Sequence, residues 1–95
     1  MRTMLPMTRP EPRELDAASD LLSRLAREHG LANLRHGADS GEIVSDVDAN
    51  LGYFAVVAFE DAVEGRLGWR PDVVPSGARG ARPAGPIGAG DTHAA

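Results

Sequence analysis

Gly41-Glu42-Ile43-Val44-Ser45-Asp46-Val47-Asp48 is the stretch from which the rest of the chain can be placed. Apolar residues alternate weakly over Ile43–Leu51, which predicts a short strand broken by Gly52. Downstream, Val56, Phe59, Val63 and Leu67 recur on one face of Tyr53–Leu67, a helix ended by Gly65 and Gly68. Trp69–Val74 then reads as a second short strand, closed by Pro75. Upstream, Leu15, Ala18, Leu22, Leu25 and Ala26 form one apolar stripe, widened by Leu21, along a helix from Arg13 to His29. Pro12 suits its first turn, Glu14 and Asp16 its positive end, and Arg27 and His29 its negative end, with Gly30 as the residue after it. Leu31–Arg35 reads as a strand or a connector, and residues 36–41 as a loop. The order helix, strand, strand, helix, strand predicts an α+β fold with helices packed on one face of a small sheet.

The ends read differently. The chain has 95 residues, with 11 Gly and 7 Pro against four aromatics. The breakers gather before residue 13 and after residue 74, where little apolar surface is present to offset the entropy of ordering. The expected division is therefore a disordered segment over 1–12, a domain over 13–75 and a disordered Gly/Pro-rich tail over 76–95. A folded part of that size is of marginal stability and gains from a partner.

Composition narrows the class. No apolar run reaches the ~18–20 residues of a membrane helix. The apolar start stops at Pro6, short of a secretory leader, and the absence of Cys rules out disulfides and thiolate chemistry. A cytoplasmic protein that binds no membrane is expected. All ten basic residues are Arg, and the net charge of −4 conceals an acidic centre of −7 over residues 14–74. Such a centre argues against direct nucleic-acid binding, which rests on clustered cations. It suits either a divalent-cation site or a solvated acidic surface.

The chemistry candidates are carboxylates. On a strand, Asp46 and Asp48 share a face, with backbones about 6–7 Å apart. Their oxygens could converge on hard cations such as Mg²⁺, which would relieve the repulsion between them. The plain alternative is a pair of solvent-facing acids near a turn. Asp72 opens the next strand, where a third carboxylate can serve as metal ligand or general base in a two-metal phosphoryl-transfer site. Gly37 and Gly41 bracket a loop whose amides could face phosphate.

Leu25-Ala26-Arg27-Glu28-His29-Gly30, Asn33-Leu34-Arg35, Gly41-Glu42, Ser45-Asp46-Val47-Asp48 and Leu67-Gly68-Trp69-Arg70-Pro71-Asp72-Val73-Val74 follow one another in a familiar order. In that order the chain resembles the minimal nucleotidyltransferases of the polymerase-beta-like superfamily, the antitoxins paired with HEPN-domain toxins. The resemblance covers about half of the chain. It implies a small nucleotidyltransferase-like fold with a short mixed sheet. It implies Asp46, Asp48 and Asp72 as Mg²⁺ ligands, Asp72 also as the catalytic carboxylate, and Gly37, Ala38 and Ser45 as nucleotide-binding positions. It further implies ATP as donor and transfer of AMP to a HEPN-type toxin.

The chain departs from that family in five places, one of them an interval from Gly37 to Asp46 that is shorter than usual. Gly37-Ala38 stands where the family has Gly-Ser, and Ser40-Gly41-Glu42 where it has Arg-Gly-Glu. The strand after the second Asp is short, and a Gly/Pro-rich tail replaces the final helix. These departures support an alternative, a degenerate binding module that neutralises a partner by contact. The other residues read as structure: Tyr53 and Phe54 begin the helix and cover the core, Trp69 packs over the sheet edge, His36 lies in a loop and Arg70 is a surface arginine.

Overall fold

Pro12 opens the first helix, α1 (Pro12–Ala17), and the Glu14 carboxylate accepts the Glu11 amide that precedes it, satisfying an otherwise orphan donor. The computed structural model, which describes residues 9–88, divides the expected long helix at Ala18. Ala18 leaves helical geometry (φ −98°, ψ 13°), yet its amide still bonds Glu14 and Leu15 and its carbonyl accepts the Leu22 amide. The chain therefore bends while Ala18 keeps hydrogen bonds to both sides of the break. Leu15 before the bend and Leu22 after it are both fully buried.

The second helix, α2 (Ser19–His29), ends at Gly30, whose φ of 85° is costly for any residue with a Cβ. Two strands follow, β1 (Leu31–His36) and β2 (Glu42–Val47), paired antiparallel as a hairpin. His36 is thus the last residue of β1 and not part of the loop. The third helix, α3 (Tyr53–Leu67), stops at Gly68 and returns the chain to β3 (Asp72–Pro75), parallel to β2. The result is an α+β fold with a three-stranded mixed sheet in the order β1-β2-β3.

Apolar demand sets the register. Val73 and Val74 are the apolar part of β3, and they pair with Ile43 and Val44, the apolar part of β2. Ile43 and Val73 face α2 and α3, closing a core with Leu15, Leu22, Leu25, Val56, Phe59 and Val63. Each such side chain contributes about 1.5–3 kcal/mol when fully buried. Strand β2 is shorter than its alternation suggests. Asp48 starts a turn: its side chain accepts the Asn50 amide at 2.9 Å and its carbonyl the amides of Leu51 and Gly52 at 3.0 Å.

Residues 1–8 and 89–95, part of the two ends expected to be disordered, lie outside the described residues. Parts of the described remainder of those ends make contact with the domain, although most of residues 76–86 are exposed. Pro10 is fully buried, and residues 84–87 run along the free edge of β1. Residues 84–87 are held there by main-chain hydrogen bonds, which any sequence can supply, and Ile87 packs against the core.

Candidate functional site

Asp46 occupies the C-terminal end of β2, opposite Ala32. The ladder slips between Ala32 and Arg35, where Asn33 adopts a left-handed backbone (φ 54°). This is a β-bulge, and Asn tolerates its geometry better than most residues. The bulge aims Asn33 and Arg35 at the same carboxylate. Asn33 Nδ2 donates to Asp46 Oδ2 at 2.7 Å, and the Arg35 guanidinium donates to Oδ1 at 2.9 Å. Ser76, just past β3, donates its hydroxyl to Oδ1 at 2.7 Å. The Asn33 bond above all, then those from Ser76 and Arg35, hold the Asp46 carboxyl below its ordinary value.

The other anticipated site residues do not join this cluster. Asp48 is exposed and caps its own turn. Asp72 pairs with Glu42, four residues before Asp46 on β2, so it lies about 13 Å away along the strand at ~3.3 Å per residue. There its partner is Arg9 at 3.2 Å, which also donates to the Ser40 carbonyl. Ser45 is fully buried and donates its hydroxyl to the Ala32 carbonyl at 3.0 Å.

The loop of Gly37 and Ala38 is closed from within. The Gly37 amide donates to the Glu42 carbonyl, and the Glu42 side chain fills the space beside the Gly37 Cα. Ala38 is exposed. The anticipated set is therefore split: Asp46 and Asp48 at one end of β2, Gly37, Ala38 and Asp72 at the other. Among the described residues, no three His, Cys, Asp or Glu side chains gather to hold a metal ion. The Asp46 oxygens already face three donors, so the arrangement does not fit a two-metal site.

Sequence reading missed three features. Arg70 is not a free surface cation. It binds Asp61 at 2.7 Å, Glu64 at 3.0 Å and Glu60 at 3.2 Å, and these carboxylates, Asp61 foremost, push its pKa up. Glu60 in turn accepts the Val73 amide at 2.9 Å. No helical or strand spacing links Arg70 to these acids, so no pattern pointed there. The second feature is the Asn33 bulge, which likewise left no periodic trace.

The third feature corrects an expectation. Tyr53 and Phe54 do begin α3, but they do not cover the core. They are 71% and 84% exposed, beside Leu51 at 46%. A signal for Phe54 existed: it lies two residues before Val56, about 200° around the helix from the buried stripe. Phe54 and Leu51 border a shallow depression with Glu28, His29, Ala55 and Ala58. Trp69, expected over the sheet edge, is partly buried against the core cluster.

No family model, no curated protein and no solved structure matches the chain.

Proposed function

We propose that this chain is a contact-binding module of the nucleotidyltransferase type, which neutralises a HEPN-type toxin by occupying it and not by modifying it. The observation that carries this reading is the split of the carboxylates: Asp72 pairs beside Glu42 and Arg9, and not beside Asp46. Transfer of AMP from Mg-ATP would require β3 to slide four residues along β2. That slide would take Val73 and Val74 away from Ile43 and Val44. Exposed Leu51 and Phe54, which border one depression, support the contact reading together with exposed Tyr53, because exposed large aromatics are the usual anchors of protein interfaces.

The test is to mix the purified chain with a HEPN-type partner, Mg²⁺ and ATP labelled in the α-phosphate. The contact reading expects a stoichiometric complex without label on the partner. It expects that complex to survive Asp46→Asn with Asp48→Asn, and to be lost with Phe54→Asp. Label on the partner that disappears in the double Asn variant would establish transfer and end the contact reading.

A further inference from the structure

Residues 84–87 form a strap along the outer edge of β1. His36 N–H donates to the Gly85 carbonyl at 2.8 Å, Ala84 N–H to the His36 carbonyl at 2.7 Å, and Ile87 N–H to the Leu34 carbonyl at 3.2 Å. Pro86 lies antiparallel to Arg35, so the strap runs in the same direction as β2 and β3. Ile87 packs against the core, and the Gly88 amide donates to the Asp16 carboxylate at 2.6 Å.

A strap parallel to β3 is reached only by a return crossing of the sheet. Ser76 leaves β3 at the level of Asp46: its amide donates to the Ser45 carbonyl and its hydroxyl to the Asp46 carboxylate. Ala84 joins the β1 edge at the level of Glu42, beside residue 37, whose amide donates to the Glu42 carbonyl. Four residues along a strand and three strand spacings across it set the crossing at about 19 Å. The eight steps from Ser76 to Ala84 reach about 26–29 Å when extended, more than the crossing needs.

The surplus is taken up in two local turns. Ala78 N–H donates to the Pro75 carbonyl at 2.9 Å, and Ala81 N–H to the Ala78 carbonyl at 3.1 Å. Gly80 supplies a left-handed backbone (φ 91°) in the second. Of the connector residues 76–83, all but Ala81 are exposed. The strap is thus held by the edge, and the connector mainly by itself.

We propose that the strap is exchangeable, so that two copies of this chain trade residues 84–88 across opened connectors and form a symmetric dimer. A second copy presents the same β1 edge, the same Ile87 seat and the same Asp16. An exchanged strap therefore recovers each bond it makes in the monomer, and only the connector changes, by opening its two turns. Proximity opposes the exchange, because a short connector holds the strap near its own edge at an effective concentration on the order of millimolar. The closed monomer dominates at micromolar concentration, and the exchanged dimer rises as the chain approaches millimolar. No other protein is needed, so exchange stands or falls independently of the contact-binding reading.

Deletion of residues 78–81 provides the test. Four steps remain between Ser76 and Ala84, a reach of about 13–14 Å that falls short of the crossing. The connector can then no longer seat the strap on its own edge, and exchange fills the edge instead. Analytical ultracentrifugation should find the deletion variant dimeric, with a dissociation constant at least about a hundredfold below that of the full chain. Adding Ile87→Asp should return it to a monomer, whereas adding Phe54→Asp should leave it dimeric. For the full chain, an equal mixture of isotope-labelled and unlabelled copies refolded at millimolar concentration should show inter-copy nuclear Overhauser contacts between Ile87 and Leu34.

A deletion variant that unfolds cooperatively yet stays monomeric would overturn the proposal, and so would a dimer that survives Ile87→Asp. A dimer lost with Phe54→Asp would assign self-association to the apolar patch and overturn the exchange as well. If the deletion abolishes cooperative unfolding, the mixed sample of the full chain decides alone: Ile87–Leu34 contacts between copies support exchange, and their absence overturns it.

Discussion

Asn33 concentrates much of the outer-face chemistry in one residue. It supplies the left-handed backbone that the bulge needs and a donor to Asp46. Asn33→Gly keeps the backbone and loses only the bond, whereas Asn33→Val meets the steric cost of a β-branched residue at positive φ. Urea unfolding should place Asn33→Val about 1–3 kcal/mol below the natural chain, and Asn33→Gly closer to it. Two carboxyls are also held below their ordinary value in the fold. Asp46 is held low chiefly by Asn33, and Asp16 chiefly by the Gly88 amide. A carboxyl whose folded pKa is depressed contributes its stability above its unfolded value. That contribution is lost as the pH falls through the folded value, here below the ordinary 3.8. Denaturant midpoints measured against pH should therefore drop on the acid side, and Asp46→Asn and Asp16→Asn should each flatten that drop.

At the scale of elements, turns and edges decide what the strands can do. Gly41 and Gly68 both sit at positive φ, 81° and 83°. A Cβ on Gly68 meets open space, but on Gly41 it meets the Pro10 carbonyl at 2.9 Å, a backbone atom that cannot easily give way. Gly68→Ala should cost about 1 kcal/mol, from the left-handed backbone alone, and Gly41→Ala measurably more in the same urea series. The closed edge of β3 makes a separate prediction. Glu60→Ala leaves the Val73 amide unpaired on an outer edge and frees Arg70 from one partner. Light scattering should then detect concentration-dependent self-association stronger than that of the natural chain.

Across the whole molecule, the elements were legible because apolar spacing is a local signal. The stripe through Leu15, Leu22 and Leu25 and that through Val56, Phe59 and Val63 are both buried where their periods place them. The α+β order followed from them. What could not be read was register, because pairing depends on which residues compete for the same neighbours. Asp46, Asp48 and Asp72 stand in the right order along the chain. Yet the pairing of Val73 with Ile43 and of Val74 with Val44 sets Asp72 beside Glu42. The Asp48 turn ends β2 before a longer pairing could form. The strap was illegible for a related reason, since its bonds come from the main chain.

The split of the carboxylates is the central claim, and a Mn²⁺ titration followed by amide line broadening tests it most directly. A bound paramagnetic ion broadens every amide near it. The account predicts no saturable step that broadens the amides of Asp46, Asp48 and Asp72 together. Saturable broadening of all three at one stoichiometry, abolished by Asp46→Asn, would contradict it.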